Sequence, residues 1–127
     1  SLYRSSVVDQ DKIRAEVEIR DIELGIDEAI PCGLIINELV SNSLKHAFPG
    51  NRRGSISIRG FLDEGGYVCL TVSDTGIGLP PGFDLATLES LGLQIVSLLT
   101  KQLHGSLDIR GDNGMAVCIR FKSIVGK

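Results

Sequence analysis

The chain has 127 residues, 43% of them hydrophobic, and a formal net charge of −3, which suits one domain around one core. No apolar run approaches the about 20 residues that span a bilayer, signal-peptide features are absent, and Lys45 with the Arg52-Arg53 pair is too little and too local to make a basic nucleic-acid footprint. Cys32, Cys69 and Cys118 lack Cys-x-x-Cys spacing and each stands among apolar neighbours, so buried free thiols in a reducing cytoplasm are expected.

In chain order, the patterning predicts a strand near residues 15–22 and a long helix over about 27–48, with Pro31 near its start where a missing N–H costs little. Within that helix lies Asn37-Glu-Leu-Val-Ser-Asn-Ser-Leu-Lys-His-Ala47. An advance of about 100° per residue gathers Glu38, Ser41, Asn42 and Lys45 on one arc and Ile36, Leu39, Val40, Leu44 and Ala47 on the opposite one. A carboxylate, an amide oxygen and an ammonium one turn apart can hold a hydrated divalent cation and the phosphates around it. The same pattern fits an ordinary amphipathic surface helix, and the helix alone does not separate the two.

A hairpin is predicted next, residues 55–61 and 67–73 around Asp63-Glu64-Gly65-Gly66. Tyr67, Cys69, Thr71 and Ser73 alternate with Val68, Leu70 and Val72, so the second strand ends at Asp74 and delivers its carboxylate to the loop Gly76-Ile77-Gly78. Two glycines at that spacing let a backbone approach a ligand and adopt positive φ, and a carboxylate at a strand end can accept a hydrogen bond from an exocyclic amine such as adenine's. Asp-Thr-Gly is equally ordinary turn chemistry. Rival motifs fail: Gly78 is followed by Leu79-Pro80-Pro81 before Gly82, which breaks the dinucleotide fingerprint, and no Gly-x-x-x-x-Gly-Lys-Ser/Thr occurs.

Residues 79–89, with Pro80-Pro81-Gly82, read as a short lid over a ligand. Leu91, Ile95, Leu98, Leu99 and Leu103 then recur at helical spacing, with Ser90 as N-cap and Gly105 placed to end the helix. Gly92 in the first turn either opens a helix start to an anion such as a phosphate or lets the helix pack closely on a neighbour. A closing hairpin turns around residues 111–114, where Asn113-Gly114 is the best turn signal in the chain. The order predicts an α/β (α+β) two-layer sandwich, a mixed, largely antiparallel sheet with helices on one face.

Taken together, Asn37-Glu38-x-x-x-Asn42-x-x-Lys45-His46-Ala47, Asp74-x-Gly76-x-Gly78, the short lid, and Ser90-Leu91-Gly92-Leu93-Gln94-Ile95-Val96 resemble the N, G1 and G2 boxes of the GHKL ATPases, which share the Bergerat fold. The chain looks like the catalytic ATP-binding domain of a bacterial-type sensor histidine kinase, over about Ile19 to Phe121. Asn-Glu-Leu-Val-Ser-Asn-Ser-Leu-Lys-His-Ala-Phe and Ser-Leu-Gly-Leu-Gln-Ile-Val resemble the class that is sister to the HWE kinases, not the HWE kinases themselves: those carry histidine at Asn37 and a Trp-x-Glu signature, and tryptophan is absent here. Leu2-Tyr3-Arg4-Ser5 is similar to the end of the preceding dimerisation domain, which makes residues 1–10 a remnant or linker and 11–127 the catalytic domain.

The resemblance implies ATP and Mg²⁺ as cofactors. Asn42 would coordinate the Mg²⁺ and Glu38 would hold a metal-bound or attacking water or assist proton transfer. Lys45 and His46 would reach phosphate or ribose oxygens, and Asp74 would recognise the adenine amine. Gly76 and Gly78 would wrap base and sugar, and Gly92 with Leu93 would admit phosphates at the helix start. Family members commonly place a Thr near adenine where this chain has Met115, which lacks a hydroxyl. The implied activity is transfer of the γ-phosphoryl group to a histidine on a separate dimerisation domain, with a response regulator downstream, by a cytoplasmic domain touching neither membrane nor nucleic acid. Neither His46 nor His104 resembles an acceptor box. A non-catalytic ATP-sensing module and an anti-sigma-type serine kinase of the same fold are the alternatives.

Overall fold

The computed structural model describes residues 2–9, 12–79, 89, 91–111 and 113–123, with the backbone alone for 2–9. In chain order it runs β1 (Leu2–Asp9), β2 (Ile13–Arg20), α1 (Ile26–Asn42) continued by a π-helical turn (Ser43–Ala47), β3 (Gly54–Leu62), β4 (Tyr67–Asp74), α2 (Leu93–Gln102), β5 (Ser106–Arg110) and β6 (Ala116–Lys122). The strands form a six-stranded sheet in the order β1-β2-β3-β4-β6-β5. β2 and β3 pair in parallel with α1 as their crossover, and every other pair is antiparallel. This is the mixed, largely antiparallel sheet that the patterning predicts. β1, paired to β2 from Leu2–Arg20 to Asp9–Ile13, is a strand the patterning does not announce.

Strand alternation assigns the faces. Val68, Leu70 and Val72 of β4 stand opposite Phe121, Ile119 and Val117 of β6, all of them buried. Cys32, Ile35 and Leu39 of α1 and Leu93 and Val96 of α2 join them in one core, each fully buried aliphatic or aromatic side chain contributing about 1.5–3 kcal/mol. Helices therefore cover one face. The other face is polar: Arg20 and Arg59 both reach Glu18 (3.2 and 3.5 Å), and Arg120 bonds Asp63 at 2.9 Å while lying 3.8 Å above the Tyr67 ring.

Three local expectations need correction. Of the cysteines, only Cys32 is buried; Cys69 and Cys118 are half-buried, because period two turns both away from the core with Tyr67 and Thr71. Burial and the nearby Glu28 charge push the Cys32 thiol up to about 11. Pro31 is not in the opening turn, since α1 starts at Ile26 and Pro31 sits one turn further in, where it deprives the Asp27 carbonyl of its helical donor. At the end of α2 the left-handed residue is His104 (φ 55) rather than Gly105. His104 N–H donates to Lys101 O and Gly105 N–H to Thr100 O, each at 3.0 Å, the paired bonds of a Schellman ending. Gly105 is needed instead for clearance, as a Cβ there would lie 2.7 Å from the Arg120 carbonyl oxygen.

Candidate functional site

Glu38 and Asn42 lie one turn apart near the end of α1 and point the same way. Beyond Asn42 the helix widens into the π-helical turn, whose i→i+5 bonding inserts an extra residue and shifts the phase of everything after it. Ser43, four residues after Leu39 and on the same side of the helix, is buried, while Leu44, assigned to the apolar arc by a 100° count, is 46% exposed. Lys45, expected beside Glu38 and Asn42, is exposed, as is His46, and neither makes a hydrogen bond or ion pair among the described residues.

At the end of β4, Asp74 is buried and its carboxylate already holds three donors. Oδ2 accepts the Ser43 hydroxyl at 2.7 Å, and Oδ1 accepts the N–H groups of Gly76 at 2.9 Å and Met115 at 3.2 Å. Met115 thus joins the network through its backbone, and its carbonyl in turn accepts the Asp74 N–H at 2.8 Å. The hydroxyl missing from Met115 is present on Ser43, which comes from the helix side.

The loop after Asp74 is tied down by its own chain. Thr75 N–H donates to Ser55 O, Ile77 N–H to Ala47 O and Leu79 N–H to Gly111 O, each at 3.0 Å. Gly78 has the expected positive φ of 74, whereas Gly76 is not among the positive-φ residues. A Cβ on Gly76 would collide with the Ala47 backbone and one on Gly78 with the carbonyl oxygens of Gly111 and Gly114, so the close approach these glycines permit is to their own chain. Residues 80–88 of the expected 79–89 lid lie outside the described residues, as does Ser90, and the cap position expected at Ser90 is taken by Gly92, because the helix opens only at Leu93.

Gly92 precedes α2 with φ 72, and Leu93, the first residue of the helix, is buried. A Cβ on Gly92 would stand 3.3 Å from Glu38 Oε1 and 3.9 Å from Asn42 Oδ1. The glycine gives room against α1, one of its two expected readings, and its own N–H is held by the Glu89 carbonyl at 3.0 Å. The Asn42 Nδ2 is buried without a partner among the described residues. Glu38, Asn42, Asp74 and Gly92 thus gather around the α1–α2 seam and the end of β4, Lys45 and His46 stand outside on the surface, and Ser43, which sequence reasoning missed, ties the helix to Asp74.

Residues 27–124 match the family of histidine kinase-, DNA gyrase B- and HSP90-like ATPases. The chain belongs to that family. It is 40% identical over 105 residues to the sensor histidine kinase PdtaS of Mycobacterium tuberculosis, covering 77% of this chain and 21% of that protein. It is 31% identical over 108 residues to the blue-light-activated histidine kinase 2 of Erythrobacter litoralis, covering 84% of this chain and 31% of that one. The solved Erythrobacter litoralis EL346 blue-light activated histidine kinase superposes with a TM-score of 0.77 at 29% identity, over 86% of this chain and 35% of that chain. The chain therefore spans between a fifth and a third of the length of these two curated relatives, and its two-layer sandwich is the histidine kinase ATPase fold.

Proposed function

We propose that the chain binds Mg-ATP at the seam between α1 and α2 and supplies it for transfer of the γ-phosphoryl group to a histidine on a separate dimerisation domain, in a cytoplasmic two-component system ending at a response regulator. The observation that carries this reading is the convergence of Glu38 Oε1 and Asn42 Oδ1 on the bare backbone of Gly92. That donor set fits Mg²⁺, which takes oxygen ligands and usually keeps water and substrate phosphates as the rest of its shell. Bound there, Mg²⁺ would neutralise the charge that builds on the phosphoryl oxygens.

The chain's own residues do the rest by position. Asn42 Oδ1 and Glu38 present oxygens to the phosphate end, and Glu38 is placed to hold a water or accept a proton from the incoming imidazole. The opening of α2 at Gly92 and Leu93 faces the phosphates, favoured by the helix dipole. Asp74, at the far side, accepts the adenine amine. Gly76 and Gly78 shape the loop beside it, and the exposed Lys45 and His46 are free to reach phosphate or ribose oxygens. Neither histidine is the phosphoryl acceptor in this reading: His104 closes α2 and His46 belongs to the nucleotide side.

Calorimetry with Mg-ATP, followed by incubation with radiolabelled ATP and a dimerisation domain from a sensor kinase, tests the proposal. Expected are Mg²⁺-dependent binding that Asn42→Ala abolishes, no label on the chain alone, and acid-labile label on the added domain. Acid-stable label would indicate phosphoserine and a serine kinase. ATP binding without any label in the presence of the acceptor would leave a sensing module, and label mapped to His46 or His104 would overturn the division of labour.

A further inference from the structure

An ionised carboxylate offers about four lone-pair sites and no donor. In Asp74 three are taken before any ligand arrives: Oδ1 holds the N–H groups of Gly76 and Met115, and Oδ2 holds the Ser43 hydroxyl. Among the described residues, one site on Oδ2 stays open. Because a carboxylate cannot donate, the direction of the Ser43 bond is fixed, and at 2.7 Å it is a short, charge-assisted one. Ser43 has little freedom to give way. It is 7% exposed, and its backbone N–H is held by the Leu39 and Val40 carbonyls at the point where the helix widens.

We propose that Ser43 is a specificity-determining residue for the base: by filling one of the two sites on Oδ2, it leaves Asp74 able to accept a single further hydrogen bond. This rests on the reading of Asp74 as the acceptor for the base. A purine with one exocyclic amine at the edge facing the carboxylate, as in adenine, uses that site. Guanine presents an oxo group there, and to bring donors to Asp74 it must shift and offer its adjacent ring N–H and exocyclic amine, a pair that needs two open sites. With the Ser43 hydroxyl in place, one of those two donors is buried unpaired, a cost that corresponds to roughly a tenfold loss of affinity or more. The backbone donors on Oδ1 cannot be removed by substitution, so the hydroxyl is the adjustable part of the filter.

The test is the affinity of the whole chain, with Mg²⁺, for ATP, GTP and inorganic tripolyphosphate, in the wild type and in Ser43→Ala, Ser43→Cys and Ser43→Thr, with thermal melts to confirm folding. The wild type is expected to prefer ATP over GTP. Ser43→Ala should lower that preference about tenfold, chiefly by tightening GTP, and leave tripolyphosphate unchanged. Ser43→Cys, close in size but a weak donor, should behave the same way if the alanine variant folds poorly, and Ser43→Thr should retain the wild-type ratio. If the wild type itself binds ATP and GTP equally, the base-acceptor reading of Asp74 falls and the role of Ser43 with it. If the wild type discriminates and the folded Ala and Cys variants keep its ratio, or weaken all three ligands alike, Ser43 is only structural and the inference alone is overturned.

Discussion

Asn42 has the two ends of one amide in opposite circumstances: Oδ1 faces the Gly92 backbone, while Nδ2 is buried without a partner among the described residues. A buried unpaired donor costs about 1–3 kcal/mol, and such groups in native proteins ask for an explanation beyond stability. Asn42→Ala removes that orphan, so the unliganded variant should be as stable as the wild type or up to about 1 kcal/mol more stable. The wild type alone should gain stability on addition of Mg-ATP. Urea unfolding of both, with and without Mg-ATP, measures this; a marked loss of stability in the unliganded variant would show that the amide has a structural bond instead. At this scale much of the site is legible in the chain. Glu38 and Asn42 follow from helical spacing and Asp74 from the end of an alternating strand. Ser43 does not, because its partner Asp74 lies 31 residues away and nothing near it in the chain announces that bond. Leu44 and Lys45, in the π-helical turn that follows, are both exposed.

Elements were legible in proportion to how local their causes are. The β3–β4 hairpin carries its alternation and its turn within a short stretch, and it forms with Ile56 facing Asp74 and Leu62 facing Val68. α1 is also where its pattern puts it, but its ending in the π-helical turn Ser43–Ala47 is not part of that pattern. β1 is a sheet-edge strand, paired on one side only and hence weakly specified by its own pattern. The end of α2 shows a choice between neighbours: glycine at 105 suggests the left-handed position, yet clearance from β6 claims that glycine and leaves His104 to adopt φ 55. A non-glycine residue in that region costs about 1–2 kcal/mol, part of which a glycine gives back through its freer unfolded chain. His104→Gly should therefore stabilise the chain by about 0.5–1 kcal/mol without altering ligand binding, read from the shift in urea midpoint. A destabilised variant would mean that the imidazole makes a contact worth more than the strain.

Across the whole molecule, Asp63 links a turn to a distant strand. Its Oδ1 accepts the Tyr67 and Gly65 N–H groups and its Oδ2 accepts two N–H groups of Arg120 on β6. The Tyr67 N–H, then the Arg120 guanidinium and the Gly65 N–H, outweigh desolvation and hold the carboxyl below its ordinary 3.8. A carboxyl depressed in the folded state contributes stability that is present above its unfolded value, about 3.9, and is lost as pH falls through the folded one. Wild type should therefore exceed Asp63→Asn in stability at pH 7, and the gap should close toward pH 3, a modest and salt-sensitive effect at an exposed site. Urea midpoints across that range check it; a gap that stays constant with pH would assign the effect to the turn geometry and not to the charge.

The parallel pairing of β2 with β3 has a consequence for the order in which the molecule is assembled. Asp74 is delivered by a hairpin that needs only its own neighbours, whereas Glu38, Asn42 and Ser43 ride on a segment held at both ends by strands of one sheet. Closing that loop of about 33 residues demands entropy before any contact repays it, and such non-local pairings form late. Asp74, proposed above as the acceptor for the base, can therefore stand at its strand end in a chain that has not yet brought Glu38 and Asn42 to it, and only the fully closed crossover joins the two. A nucleotide held as proposed needs both halves and binds the finished molecule and no partly folded form, so its presence should pull the last step of folding forward by mass action.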